Sequence, residues 1–128
     1  MKLFPVLIFL TVTSVKDGDT VAGRIENCRP TFLCETSIRL EGGDTPEKRK
    51  PAPACEIERG LAATEFARGL VQPGERVIVK VIGADKYGNR WLGRIQLADG
   101  RDLMSTMIEA GHARSYHGER KKPWCTDN

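Results

Sequence analysis

Phe9-Leu10-Thr11-Val12-Thr13-Ser14-Val15-Lys16-Asp17-Gly18-Asp19-Thr20-Val21-Ala22-Gly23-Arg24-Ile25 is the stretch whose reading decides the fold. β-Branched side chains crowd both halves, and Asp17-Gly18 between them is a strong hairpin-turn pair, so residues 9–15 and 20–25 read as strand, tight turn, strand. A polar loop with Cys28, Pro30 and Cys34 follows. In a third short strand over 36–41, Ile38 and Leu40 take one face and Arg39 the other. Residues 42–54 are glycine, proline and charge, hence a loop of about a dozen residues, a length more often functional than idle.

The remaining elements complete a barrel. Ala63, Phe66, Ala67 and Leu70 repeat at the i, i+3, i+4, i+7 spacing of a buried stripe, which predicts the main helix over 56–71, ended by Gln72-Pro73-Gly74. Residues 76–82 read as a strand apolar on both faces, 84–89 as a turn and 91–97 as another strand. Asp102 is placed to cap a short second helix with Leu103, Met104, Met107 and Ile108 inward, and Gly111 stops it. Three strands, a helix, two strands and a short terminal helix fit an α+β β-barrel of the OB type: a five-stranded Greek key with its main helix between the third and fourth strands.

The bulk composition sets bounds on that reading. At 128 residues, 40% hydrophobic and 29% charged, the chain suits one domain with one core, expected over 9–125. Residues 1–8 are expected to be a signal-peptide remnant or an extension of the first strand, and 126–128 a tail. The apolar run from Leu3 to Leu10, broken by Pro5, is too short to span a membrane. A net charge of +3 permits a polyanionic partner without demanding one. The run from His112 to Lys122 sets four cations and one acid beside Tyr116, which suits a phosphate backbone and a stacked base; by itself it also reads as a solvated tail. Cys28, Cys34, Cys55 and Cys125 lack the short paired spacing of a structural zinc site. Disulfides are expected, and of the three connectivities Cys28–Cys34 with Cys55–Cys125 is the most economical. That favours an oxidising compartment, secreted or periplasmic.

The chemistry lies in two acidic turns. Asp17-Gly18-Asp19 by itself is an ordinary hairpin. Asp44-Thr45-Pro46-Glu47 resembles a helix cap, but Pro51 and Pro53 prevent the segment behind it from being the helix that a cap needs. These acids call for another partner, and a hard divalent cation such as Ca²⁺, which takes roughly six to eight oxygen ligands, is the natural one. Asp19 and Asp44 would supply carboxylates and Thr45 its main-chain carbonyl, leaving Glu47 to orient or deprotonate a water. Charge that builds on a phosphoryl group under attack is met by an arginine fork, for which Arg39 is the first candidate and Arg90 the second.

DGDT at 17–20, IRLEGGDTPE at 38–47, DKYG at 85–88 and the LGRI…DG…EAGHAR stretch at 92–114 resemble the staphylococcal nuclease (thermonuclease) family over residues 9–125. Cys55 and Trp124-Cys125 resemble its short, cysteine-bearing bacterial branch. The resemblance implies an OB-fold phosphodiesterase that uses Ca²⁺ to cleave DNA and RNA, single-stranded or locally melted, with little sequence preference and leaving 3′-phosphate ends. It assigns metal ligation to Asp19, Asp44 and Thr45, water activation to Glu47, and phosphate stabilisation to Arg39 and Arg90. Lys86, Tyr87 and Tyr116 become substrate contacts. Asn89 departs from the pattern and implies a one-residue bulge that re-aims Arg90, with Arg94 as the substitute; the family's longer C-terminal helix is replaced by a tail. A monomer without membrane association is expected. The alternative is a non-catalytic OB module that binds single strands, and a purely structural disulfide-bonded domain would explain neither the acids nor the basic run.

Overall fold

Strand β1 (Val6–Asp17) turns at Gly18 into β2 (Thr20–Ile25), as the hairpin signal predicts, in a computed structural model that describes residues 5–85 and 90–125. The glycine is needed for a reason the turn signal does not give. A Cβ on Gly18 would lie 2.9 Å from Cγ2 of Thr45 and 3.2 Å from Cβ of Ala63, so it allows the turn to press against the acidic loop. β1 is longer than expected. Its first half, Val6 to Thr11, pairs with β5 (Arg76–Ala84), and Leu10 to Asp17 pair with β2. Register shifts between Val12 and Ser14 and between Val15 and Asp17 bend the strand from one neighbour to the other.

β3 (Glu35–Leu40) pairs antiparallel with β2 and parallel with β6 (Trp91–Gln96), which closes the barrel in the order β1-β2-β3-β6-β5. This is the expected OB arrangement. Leu10, Val21, Ile38, Leu40, Val79 and Ile95 fill it, each almost fully buried. β5 is buried at Val77, Val79 and Val81 while Ile78 between them is only partly covered, so one face of this strand is the wall and the apolar-both-faces reading is corrected.

Helix α1 (Ala54–Leu70) begins two residues before its expected start, just after Pro53, and lays Ala63 and Ala67 on the core with Phe66 and Leu70 packed beside them. Helix α2 (Leu103–Glu109) carries the expected cap: Asp102 Oδ2 accepts from the Ser105 N–H at 2.9 Å. One feature departs from the sequence reading, and the disulfide pairing follows it. Gly43–Asp44 form a two-residue strand, β4, paired with Arg114–Ser115, β7, so the acidic loop is not free along its length and the basic run begins inside a sheet. Cys28–Cys34 and Cys55–Cys125 are disulfide-bonded, the second tying the C-terminal segment to the first turn of α1. Among the described residues no helix is long and apolar enough to cross a membrane.

Candidate functional site

The β1–β2 turn, the end of β3 and the segment after β4 meet at one end of the barrel. They enclose a pocket of about 340 Å³ lined by Asp19, Arg39, Asp44, Thr45, Glu47 and Arg90, all six of which the sequence singles out. Local pairing explains the convergence. Arg39 lies opposite Thr20 in the β2–β3 ladder, and the Leu40 N–H donates to the Asp19 carbonyl at 2.8 Å, which fixes the end of β3 against the turn. The guanidinium of Arg39 is anchored through Nη1 on the carbonyls of Leu40 and Gly43. Its Nη2 stands 3.6 Å from Asp19 Oδ2 and 4.0 Å from Asp44 Oδ1, so carboxylates from the β1–β2 turn and from β4 face one nitrogen.

Electrostatics divide the acids. Asp17, whose Oδ1 accepts from the Asp19 N–H at 3.2 Å, has its carboxyl pushed up to about 6 by burial, then by its hydrogen bond with Asp19 and that residue's charge. For Asp19 burial also pushes upward, but the hydrogen bond with Asp17, the Arg39 charge and the hydroxyls of Thr20 and Thr45 outweigh it and hold the carboxyl below its ordinary value. Asp44 is 3% exposed and meets three cations: Lys121 Nζ donates to Oδ1 at 3.1 Å, Arg114 Nη2 is 3.7 Å from Oδ2, and Arg39 lies on the third side. Glu47 turns Oε1 back onto the N–H groups of Lys48 and Arg49, at 2.9 and 3.2 Å, and its own N–H donates to Glu56 at 2.9 Å.

This donor set is oxygen only, which suits a hard cation and not zinc. Among the described residues no group of three acidic, histidine or cysteine side chains is placed to hold a metal. The two carboxylates that face Arg39, those of Asp19 and Asp44, are hard oxygen donors of the kind Ca²⁺ accepts. The family model described as Staphylococcal nuclease homologue matches residues 37–127. The chain belongs to that family. Its coarse function is accordingly that of a nuclease or nucleic-acid-binding domain. No curated protein matches the chain.

In this staphylococcal nuclease homologue the second arginine at the pocket is Arg90. It is held by Asp85 Oδ2 at 2.9 and 3.2 Å and by Thr20 Oγ1 at 3.2 Å. Arg94 is paired instead with Glu41 at 2.8 Å and Asp102 at 3.5 Å, and does not line this pocket. Tyr116 lines the neighbouring pocket of about 670 Å³ together with Arg39 and Arg90. Lys86, Tyr87 and the bulge expected at Asn89 lie outside the described residues.

Asp17 reads in the sequence as turn chemistry, and Arg114 and Lys121 only as members of a basic run suited to a phosphate backbone; all three line the pocket. The reading of the basic run as a solvated tail is corrected, because Arg114 and Lys121 turn onto Asp44. The Arg114 guanidinium lies 4.0 Å over the Trp124 ring and donates to the carbonyls of Lys122 and Pro123, while Arg59 holds the Trp124 carbonyl at 2.8 Å. One signal points to this: a Cys55–Cys125 bond brings the tail beside Glu56, which bonds Glu47, and Lys121 stands only four residues before Cys125.

Proposed function

We propose that this protein is a Ca²⁺-dependent endonuclease, a hydrolase that cuts DNA and RNA with low sequence specificity and leaves 3′-phosphate ends. The observation that carries the reading is that Asp19 and Asp44 face the same Arg39 nitrogen from separate elements, within one pocket that Glu47 also lines. Asp19, Asp44 and the Thr45 carbonyl would hold the ion, which supplies positive charge to the phosphate and to a bound water. Glu47, fixed through Oε1, offers Oε2 to accept a proton from the attacking water. Arg39 and Arg90 are held by carbonyls and by Asp85 on rigid strand ends, preorganised for the charge that grows on the phosphoryl oxygens. Strands single or locally melted are the substrates that suit such a pocket, with Tyr116 of the adjoining pocket as a contact and, by the family resemblance, Lys86 and Tyr87 as further ones. The disulfides fit an oxidising compartment, and we place the protein outside the cytoplasm as a secreted or periplasmic monomer.

The test is incubation of denatured DNA with the purified protein in calcium and then in chelator, alongside Glu47→Gln. Calcium-dependent cleavage is expected. The variant should take up calcium normally and cut slowly, and no cleavage in any divalent cation would overturn the reading. A second reading, a non-catalytic strand-binding module, is favoured by one feature: Asp44 is already neutralised by Lys121 and Arg114, so the acids need not repel a polyanion. Strand binding that is indifferent to calcium, without cleavage, would select it.

A further inference from the structure

Of the three cations around Asp44, two are fixed in place by other bonds. Arg39 is anchored on the carbonyls of Leu40 and Gly43, and Arg114 on those of Lys122 and Pro123 with its guanidinium over Trp124. Lys121 differs. Its side chain is 54% exposed, and Asp44 Oδ1 is its hydrogen-bond acceptor among the described residues. Its ammonium also lies 5.2 Å over the Tyr116 ring, and Lys121 lines both the acidic pocket and the adjoining one that contains Tyr116. A lysine head on a flexible four-carbon stem is thus poised between a carboxylate and an aromatic face, while the chain three and four residues beyond it is tied down by Arg59 on Trp124 and by the Cys55–Cys125 bond.

We infer that Lys121 is a phosphate-binding residue of this site, which rests on Asp44 in the metal-free chain and moves to the nucleic acid's phosphate once a divalent cation takes that carboxylate. The inference rests on the metal-dependent reading above. Two positive charges at one buried carboxylate repel each other, so Lys121 and a divalent cation compete for Asp44. The competition makes Lys121 oppose metal uptake and favour strand binding. A lysine that merely holds the tail in place would not have these opposite effects, since its loss would weaken both. Once off Asp44, the ammonium would still be tethered beside Tyr116 in the pocket that Arg39 also lines, within reach of a phosphate bound there.

The experiment compares the wild-type protein with Lys121→Met and Lys121→Arg. Calcium chloride is titrated calorimetrically into each without nucleic acid. Binding of a fluorescein-labelled oligothymidine in saturating calcium is then measured in the Glu47→Gln background, where the strand survives. Lys121→Met should bind calcium about three- to tenfold more tightly and the strand about three- to tenfold more weakly, with Lys121→Arg close to wild type in both. Calcium bound by all three proteins with equal affinity overturns the inference and leaves the metal reading intact. Tighter calcium binding with unchanged strand binding removes the phosphate role and overturns it as well. No calcium uptake by any of them overturns both the metal reading and this inference. Weakened binding of both ligands by Lys121→Met would assign Lys121 a structural role instead.

Discussion

Gly60 of α1 lies against the backbone of Glu47: a Cβ at this position would stand 2.6 Å from the Glu47 carbonyl carbon and 2.7 Å from the Lys48 nitrogen. Such a separation is closer than side-chain atoms pack, and backbone cannot swing aside as a flexible side chain does. Helix packing therefore sets where the Glu47 carboxylate stands.

Gly60→Ala should for this reason be harmful although alanine suits a helix interior better by about 1 kcal/mol. Forcing backbone out of a packed contact costs about 1–3 kcal/mol, which exceeds that gain, and a displacement near 1 Å of a reacting group lowers turnover by up to about 10². Urea unfolding and cleavage rates check both. A variant as stable and active as the parent would show that the loop is not seated on α1.

Arg39→Ala should lower turnover by at least about 10² with the fold retained, the typical contribution of one preorganised donor. Arg39→Lys should not restore it, because one ammonium cannot satisfy the Leu40 and Gly43 carbonyls and reach a phosphate as the planar fork does. Cleavage rates with circular dichroism of each variant decide this. Full activity in Arg39→Lys would mean that only charge matters there.

Metal-free stability should rise as pH falls from about 7 toward 4. The folded chain holds a proton on Asp17 up to about 6, whereas the unfolded chain releases it near 3.8, so through that window the folded state binds more protons. Burial is the main cause, followed by the hydrogen bond with Asp19 and that residue's charge. Asp19 has the opposite sign, and its contribution is lost only below its ordinary range. Asp17→Asn, which keeps an acceptor for the Asp19 N–H, should flatten the dependence and raise the melting temperature at pH 7 in chelator. An unchanged pH slope would remove Asp17 as its source.

The two disulfides should contribute unequally. Cys55–Cys125 joins residues 70 apart and Cys28–Cys34 residues 6 apart, and the longer closed loop confines the unfolded chain more. Replacing the first pair by serine should cost about 2–4 kcal/mol and raise KM, since it also frees the segment that carries Lys121. Removal of the second pair should cost less and leave KM unchanged. Equal effects on KM would argue that the tail is positioned by other bonds.

Much of this was legible from residues. The hairpin at Asp17-Gly18, the alternation around Arg39 and the helical stripe through Ala63 and Ala67 each follow from local periodicity, and their order leaves few barrel arrangements to choose from. Two acidic turns that lack a helix to cap were also visible. The β4–β7 pairing was not, since two residues are too short to show alternation and their partners lie far apart in sequence. Nor was the placement of Lys121 and Arg114. A charge run reads as solvated until the partner that draws it inward is known, and here Asp44 is buried by contacts from several elements. Asp17 looked like turn chemistry because its perturbation comes from burial, which sequence does not display.

Calcium titration of the wild-type, Asp19→Asn and Asp44→Asn proteins by calorimetry bears most directly on the claim that carboxylates from the β1–β2 turn and from β4 share one ion. About one ion per chain is expected for the wild type, with affinity at least about tenfold weaker in each variant because each loses a charged ligand. Calcium bound equally well by all three would contradict the claim.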